Sequence, residues 1–403
     1  MSFGGKTVVL GGDFRQILPV IPKCSRQEIV QASINSLYLW SNFEVLRLTK
    51  NLRLRGISSA EEVAKLNSFA KWIADLGDGN LGEEKNGVFN IRIPDNFVLR
   101  NEVDPIAEIV QSTFPSYGHG QFDHKFLESR AILAPTLDVV DKVNEYMNSM
   151  NEATSKTYLS CDSVCKSDTS SDMLSEVHTT EFLNSLRCSG VPNHSLTLKV
   201  GSPIMLLRNI DHSLGLCNGT RLIITQLGNH VIEAQILCGN NAGTRVLIPR
   251  LGLTPSDPRL PFKFQRKQFP IMLSYAMTIN KSQGQTLSNV GLLLKKPVFN
   301  HGQLYVAASR CDGRVDDPIL QWFPEELRKF PGMDRSSLAT PWIAPCLAVR
   351  IWRLFLTAGT GSSILNKISS QKYDLLCFFV FVVIFMAADE QRPKSYLRLC
   401  SQV

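Results

Sequence analysis

Hydrophobic and polar positions follow different rhythms along this chain, and each rhythm predicts an element. Val8-Val9-Leu10 is an unbroken apolar run, the pattern of a strand buried on both faces of a parallel sheet. Gly11-Gly12 follows, where missing Cβ atoms permit a sharp turn and a close approach. That turn delivers Asp13, Arg15 and Gln16 beyond the carboxyl end of the strand, where open α/β sheets bind ligands. Pro19 ends the segment. Arg26–Trp40 places Ile29, Val30, Ile34, Leu37 and Tyr38 in the pattern of a short amphipathic helix, and Val45–Leu48 predicts another strand. Ser59-Ala60-Glu61-Glu62 predicts a capping-box start. Val63, Leu66, Phe69, Ile73 and Leu76 then mark one helical face, and Gly77 stands where a helix-ending glycine belongs.

Further on, Val88–Asn101 predicts extended chain, followed by a helix near Pro105–Thr113. Arg130–Thr136 is a buried strand that ends at Pro135-Thr136. Leu137–Met150 continues as a helix with Val139, Val140, Val143, Tyr146 and Met147 apolar. Strand, short turn and helix together make a βα unit. Ser155–Ser185 is polar and predicts a mobile loop. Leu196–Arg208, Thr220–Leu227, Val231–Leu237 and Thr244–Pro249 alternate apolar and polar residues between Gly and Asn turns, which predicts a small antiparallel barrel or sheet. Gly291–Leu294 predicts a strand, and Asp312–Val349, rich in Pro and Asp, matches no pattern. A helix over the apolar stretch Leu375–Ala388 would span roughly 21 Å against a hydrocarbon core of ~30 Å, too short to predict a membrane span. Its Phe, Val and Ile content makes it an aggregation hazard where exposed.

Composition narrows the class. The 403 residues suffice for two or three domains, and 44% hydrophobic with 20% charged residues exclude wholesale disorder. A formal net charge of +7 is compatible with a polyanionic partner without demanding one. The 10 cysteines form no paired framework; Cys161 and Cys165 lack two further ligands at zinc-site spacing. Reduced thiols fit a cytosolic, nuclear or organelle-matrix protein. Met1–Thr7 has neither a signal-peptide core nor transit-peptide composition.

Gly11-Gly12-Asp13-Phe14-Arg15-Gln16-Ile17-Leu18-Pro19-Val20 closely resembles motif III of the PIF-type (petite-integration-frequency) superfamily-one DNA helicases, especially the Helitron-transposon branch. The resemblance implies that Gln16 contacts the terminal phosphate of ATP, a role that suits an amide able both to donate and to accept. It also puts Asp13 at the nucleotide. Thr49-Lys50-Asn51-Leu52-Arg53-Leu54 resembles motif IV, which implies a phosphate contact for Arg53; the rival reading of Arg47, Arg53 and Arg55 is a solvated basic edge. Tyr275–Thr286 resembles motif V, with Asn280 where many relatives have histidine. That likeness implies nucleotide contacts for Gln283 and Gly284 and DNA contacts for Thr278, Lys281, Ser282 and Thr286. His301–Arg310 resembles motif VI, which implies that Arg310 is an arginine finger. Thr136, at a helix start, suits either a DNA phosphate or a simple N-cap.

Gly5-Lys6-Thr7 mimics the end of a Walker A loop but runs into a strand, whereas that loop must follow a strand and open a helix. In the family both Walker elements precede motif III. The expectation is therefore an N-terminally truncated chain whose Mg²⁺ ligands lie upstream, so that no metal ligands are assigned here. The implied fold is α/β: a remnant of a first RecA-like lobe and a second RecA-like lobe carrying an inserted small β-barrel. Expected divisions are 1–55 (first lobe), 56–125 (helical connection), 126–199 (second lobe, first part), 200–265 (barrel), 266–311 (second lobe, second part) and 312–403 (divergent tail). The implied activity is ATP-dependent, 5′-to-3′ unwinding of DNA with ATP and Mg²⁺, in repair, recombination, telomere maintenance or transposition. Single-stranded and duplex DNA are the implied partners, a membrane is not, and the expected location is nuclear, with mitochondria the family's other site. The phosphates would lie between Gln16, Arg53, Gln283 and Arg310. The alternative is a non-catalytic remnant that binds single-stranded DNA.

Overall fold

The computed structural model describes residues 8–21, 24–47, 59–85, 88–91, 93–94, 97–99, 104–115, 117, 124–165, 179–188, 190–255, 260, 262–295, 298, 302–311, 320–322, 329–331 and 382–386. The chain forms two compact units. One comprises Met1–Arg92, Val298–Arg314 and Lys329–Val403, and the other comprises Ile93–Pro297 and Val315–Arg328. Both mix helices with strands, as the α/β reading requires.

In the first unit the strand Val8–Gly12 does form, but in an antiparallel ladder. Its partner is Val382–Met386, which also pairs antiparallel with Glu44–Arg47 and so lies between the two. The expected parallel setting is thus corrected, and part of the apolar stretch Leu375–Ala388 is a strand. Among the described residues no helix is long and apolar enough to cross a membrane. Leu10 is buried against Phe14, Ile34, Trp40 and Phe43. The helix predicted over Arg26–Trp40 is shorter, covering Arg26–Gln31, and two 3-10 turns follow it. Ser25 and Glu28 cap it reciprocally. Ala60–Gly77 is a long helix capped by Ser59, with Leu66, Phe69, Ile73 and Leu76 buried as their spacing demands. Gly77 does not terminate it through a left-handed turn; Asp78 is the right-handed C-cap, and the positive φ falls at Gly79.

The second unit holds a fully parallel sheet in the order Ala276–Thr278, Arg130–Ala134, Asn289–Leu293, Leu320–Trp322, Val98–Leu99. The stretch after Cys311 therefore contributes a sheet strand that its sequence did not announce. Helices Pro105–Thr113 and Leu137–Met150 cover the sheet through Ile109, Val110, Val140, Val143 and Met147. Gly291 permits the close approach of the first: a Cβ there would overlap Thr113 and stand 3.0 Å from Ile109.

The same unit carries the predicted antiparallel region. Arg245–Pro249, Val231–Ile236, Arg221–Leu227, Pro203–Leu206 and Ile271–Leu273 form one sheet with open ends. A separate ribbon, Ser155–Leu159 with Ser195–Lys199, shares its core through Tyr158, Leu196 and Leu198. Among the described strands no barrel closes: the inserted small β-barrel is not confirmed, and the antiparallel region is an open sheet with accompanying ribbons. The predicted loop Ser155–Ser185 is likewise corrected: it contains strands Ser155–Leu159 and Cys161–Val164 and helix Thr180–Ser185. Cys161–Val164 pairs with Phe264–Gln268, where Arg266 and Asp162 form a fully buried ion pair at 2.6 Å. Carbonyls of Leu183, Leu186 and Pro192 accept the remaining Arg266 donors, so that no part of the buried guanidinium is left at the cost of an unmade bond.

Candidate functional site

Motif III continues the strand Val8–Gly12 into a turn fixed by its own aspartate. Asp13 is 1% exposed. Its Oδ1 accepts from the backbone N–H of Arg15 at 3.0 Å, and its Oδ2 accepts from the Tyr305 hydroxyl at 2.8 Å. Burial pushes the Asp13 carboxyl above its ordinary pKa; the bonds from Arg15 and Tyr305, the Arg15 charge and the Gln16 amide oppose this without cancelling it. Burial, reinforced by the Asp13 charge, raises the Tyr305 phenol well above its ordinary value. Arg15 turns the other way and grips Asp78 through two bonds of 2.6 Å. Desolvation pulls the Arg15 pKa down, yet Asp78 outweighs it and leaves the guanidinium above its ordinary value.

Two glycines make this packing possible. Gly302 is the left-handed N-cap, φ 76°, of helix Gln303–Ala308. A Cβ at that position would stand 2.5 Å from the Gln16 carbonyl carbon and oxygen and 2.7 Å from the Arg15 carbonyl oxygen. At Gly77 a Cβ would meet Arg15 Cδ at 2.5 Å and the Tyr305 ring at 2.8 Å. Motif III, the end of helix Ala60–Gly77 and the motif VI helix thus meet backbone to backbone. Tyr305, Asp78, Gly77 and Gly302 are the members of this cluster that the sequence motifs leave without a role.

Gln16 is half-buried at this junction, held in place by the Asp13–Gln16 backbone turn at 3.3 Å. Arg310 belongs to the same unit as Gln16. It is fully buried, donating from Nε to the Val306 carbonyl and from Nη2 to Ser309 Oγ, both at 3.0 Å. Arg53 and the Gly5–Thr7 sequence lie outside the described residues.

The remaining predicted residues lie in the second unit. Thr278 ends a sheet strand, and the 3-10 turn Ile279–Ser282 follows directly. Lys281 donates to Asn218 Oδ1 at 3.0 Å, while burial and then the nearby Arg208 charge lower its pKa. Ser282 is buried and donates to the Ile279 carbonyl at 2.7 Å. Gln283 is half-buried, Gly284 takes φ 85°, and Thr286 is exposed. Thr136 caps helix Leu137–Met150 by backbone only: its side chain makes no cap bond, and Oγ1 is buried without a hydrogen-bond partner among the described residues.

Residues 1–87 match the family model of the PIF1-like helicases, and residues 181–227 match that of the DNA helicase Pif1 2B domain. Over 327 residues the chain is 24% identical to the ATP-dependent DNA helicase Pif1 of Bdellovibrio bacteriovorus, covering 81% of this chain and 61% of that protein. It is 35% identical over 140 residues to the ATP-dependent DNA helicase PIF1 of Homo sapiens, covering 34% of this chain and 21% of that one. The crystal structure of Pif1 helicase from Candida albicans is similar at a TM-score of 0.48 and 20% identity, over 81% of this chain and 66% of its own. The chain spans less than two thirds of the length of each of these proteins. With motif III inside the first matched segment and the open sheet's Arg221–Leu227 inside the second, the chain is similar to the PIF1-like helicases over two separate segments.

Proposed function

We propose that this chain serves an ATP-dependent DNA helicase of the PIF type, moving 5′-to-3′ along a single strand. The observation that carries the reading is the Asp13–Tyr305 bond, which fixes the Gln16 loop to the helix leading to Arg310. Both residues with proposed phosphate roles are thereby set by one rigid cluster. The Gln16 amide would bind the terminal phosphate of ATP, Arg310 would stabilise its developing charge, and Arg53 would add a further contact. Asp13 acts through the loop, because both its oxygens are engaged by the protein itself. Thr136, Thr278, Lys281, Ser282 and Thr286 would hold the strand through its phosphates, so that binding is salt-sensitive and tolerant of sequence. A nuclear place of action completes the proposal.

Mg²⁺, when bound, would neutralise charge on the phosphates. Among the described residues no group of three or more His, Cys, Asp and Glu side chains stands together as a metal site. No step is derived through the ion. An Arg310 guanidinium that is buried and donates to the Val306 carbonyl and the Ser309 hydroxyl favours one second reading: a single-stranded DNA-binding protein without nucleotide turnover.

Two measurements on the full chain separate these readings. A helicase motor releases phosphate from ATP faster when oligothymidylate is added, and Arg310→Ala lowers that rate by roughly a thousandfold. Its affinity for the oligonucleotide also changes with a non-hydrolysable ATP analogue. No phosphate release, with equal affinity in the presence and absence of the analogue, would leave only the non-catalytic binder.

A further inference from the structure

In the second unit, the loop between strands Pro203–Leu206 and Arg221–Leu227 is fastened onto the motif V segment. Lys281 donates to the Asn218 side chain at 3.0 Å, and Gln285 Nε2 donates to the Gly219 carbonyl at 3.3 Å. The loop is itself held: Asn218 N–H donates to Asn209 Oδ1 at 2.7 Å, and Gly219 N–H donates to the Leu206 carbonyl at 2.9 Å. Gly219 has φ 93°, which a side chain would strain, and a Cβ there would face open space. The glycine is thus needed for the turn's shape and leaves room outside it.

The charges at this junction do not balance internally. Lys281 is half-buried and bonds a neutral amide; Arg208 bonds a neutral carbonyl, that of Thr254, at 3.0 Å. Arg208 and Lys281 feel each other's charge, and neither has a carboxylate partner among the described residues. Two like charges in a partly desolvated setting repel. An acidic residue at position 218 would relieve that repulsion; asparagine aims the ammonium without neutralising it. An arrangement that positions cations while withholding their counter-charge is complementary to an anion from outside.

We propose that Arg208 and Lys281 form a two-cation clamp for backbone phosphate of a single DNA strand, with Asn218 as the positioning residue that aims Lys281. The clamp rests on the strand-binding reading above and extends it from motif V to the loop of the open antiparallel sheet. The strand's phosphate would supply the counter-charge, and the Asn209–Thr220 loop would report strand occupancy to Gln285 through Gly219.

The test is equilibrium binding of fluorescein-labelled oligothymidylate to the full chain across a salt series. Each phosphate neutralised contributes about 0.7 to the slope of log affinity against log salt for single strands. Arg208→Gln and Lys281→Gln should each lower the slope by about that amount. Asn218→Asp should lower it by a similar amount, because the new carboxylate cancels the Lys281 charge. Asn218→Ala should weaken binding while keeping the slope, which a merely structural role would not distinguish from the aspartate change. Binding by the wild-type chain with slopes unchanged in Arg208→Gln, Lys281→Gln and Asn218→Asp overturns the clamp and leaves the helicase reading intact. No binding by the wild-type chain overturns both.

Discussion

The Tyr305 hydroxyl donates to Asp13 Oδ2 at 2.8 Å, joining residues nearly three hundred positions apart in the sequence inside one buried cluster. Asp13 has no water to replace this donor if it is lost, because the carboxylate is buried. Tyr305→Phe keeps the ring that packs beside Gly77 and deletes only the bond. Denaturant unfolding should show a loss of about 1–3 kcal/mol, the cost of an unsatisfied buried acceptor. An unchanged midpoint would mean that the bond holds nothing in place.

The two glycines of the cluster should respond differently to alanine. At Gly302 the added Cβ meets backbone atoms of Arg15 and Gln16, and the positive φ adds strain of its own. Neither can relax cheaply, so Gly302→Ala should cost about 2–4 kcal/mol in unfolding. At Gly77 helix propensity favours alanine by about 1 kcal/mol. There the clash is with the Arg15 side chain and the Tyr305 ring. The ring is buried and cannot swing clear, so Gly77→Ala should still destabilise, though less than Gly302→Ala. A stabilised Gly77→Ala would show that Arg15 yields and that the close approach is incidental.

These glycines also show what the sequence could and could not convey. Ala60–Gly77, Arg130–Ala134 and Leu137–Met150 were legible because each buries one regularly spaced apolar face or run, a signal local to the element. Gly77 fitted a helix-ending role equally well, since its true constraint, the Tyr305 ring, comes from far along the chain. Ser155–Leu159 was hidden for a similar reason: Tyr158 is its one buried residue, and the strand exists because Ser195–Lys199 pairs with it. Val382–Met386 lies in a stretch whose apolar run suits a short helix; hydrogen bonds to Val8–Gly12 and Glu44–Arg47 make it a strand. Motif residues such as Gln16 and Arg310 stand out by pattern alone, whereas Tyr305, Asp78 and Asn218 act through partners that no local spacing reveals.

The raised pKa of Asp13 gives this cluster a pH dependence with a definite sign. Its folded-state pKa lies above the ordinary value of 3.8, because burial disfavours the charge. The folded chain therefore holds the proton more tightly than the unfolded one. Asp13's contribution to stability is fully present below about pH 3.8 and is lost as pH rises through the folded-state pKa. Asp13→Asn retains an acceptor for the Arg15 N–H and removes the titration. Relative to Asp13→Asn, the wild-type chain should lose stability as pH is raised from about 4 toward 7 in urea unfolding. A gap that is flat, or that widens in favour of wild type, would contradict the burial argument.

Thr136 separates a structural hydroxyl from a binding one. A threonine that caps a helix with its side chain loses about 1 kcal/mol on change to alanine. Thr136 occupies the N-cap without making that bond, and its Oγ1 lacks a hydrogen-bond partner among the described residues despite being buried. Removing an unsatisfied buried hydroxyl relieves a desolvation penalty. Thr136→Ala should therefore leave unfolding within about 0.5 kcal/mol of wild type or raise it slightly. If the hydroxyl serves a strand phosphate, oligothymidylate affinity should fall severalfold with the salt slope unchanged, since a neutral donor releases no counterion. Lost stability with unaltered affinity would instead return Thr136 to the role of a helix cap, its hydroxyl turned to the backbone in solution.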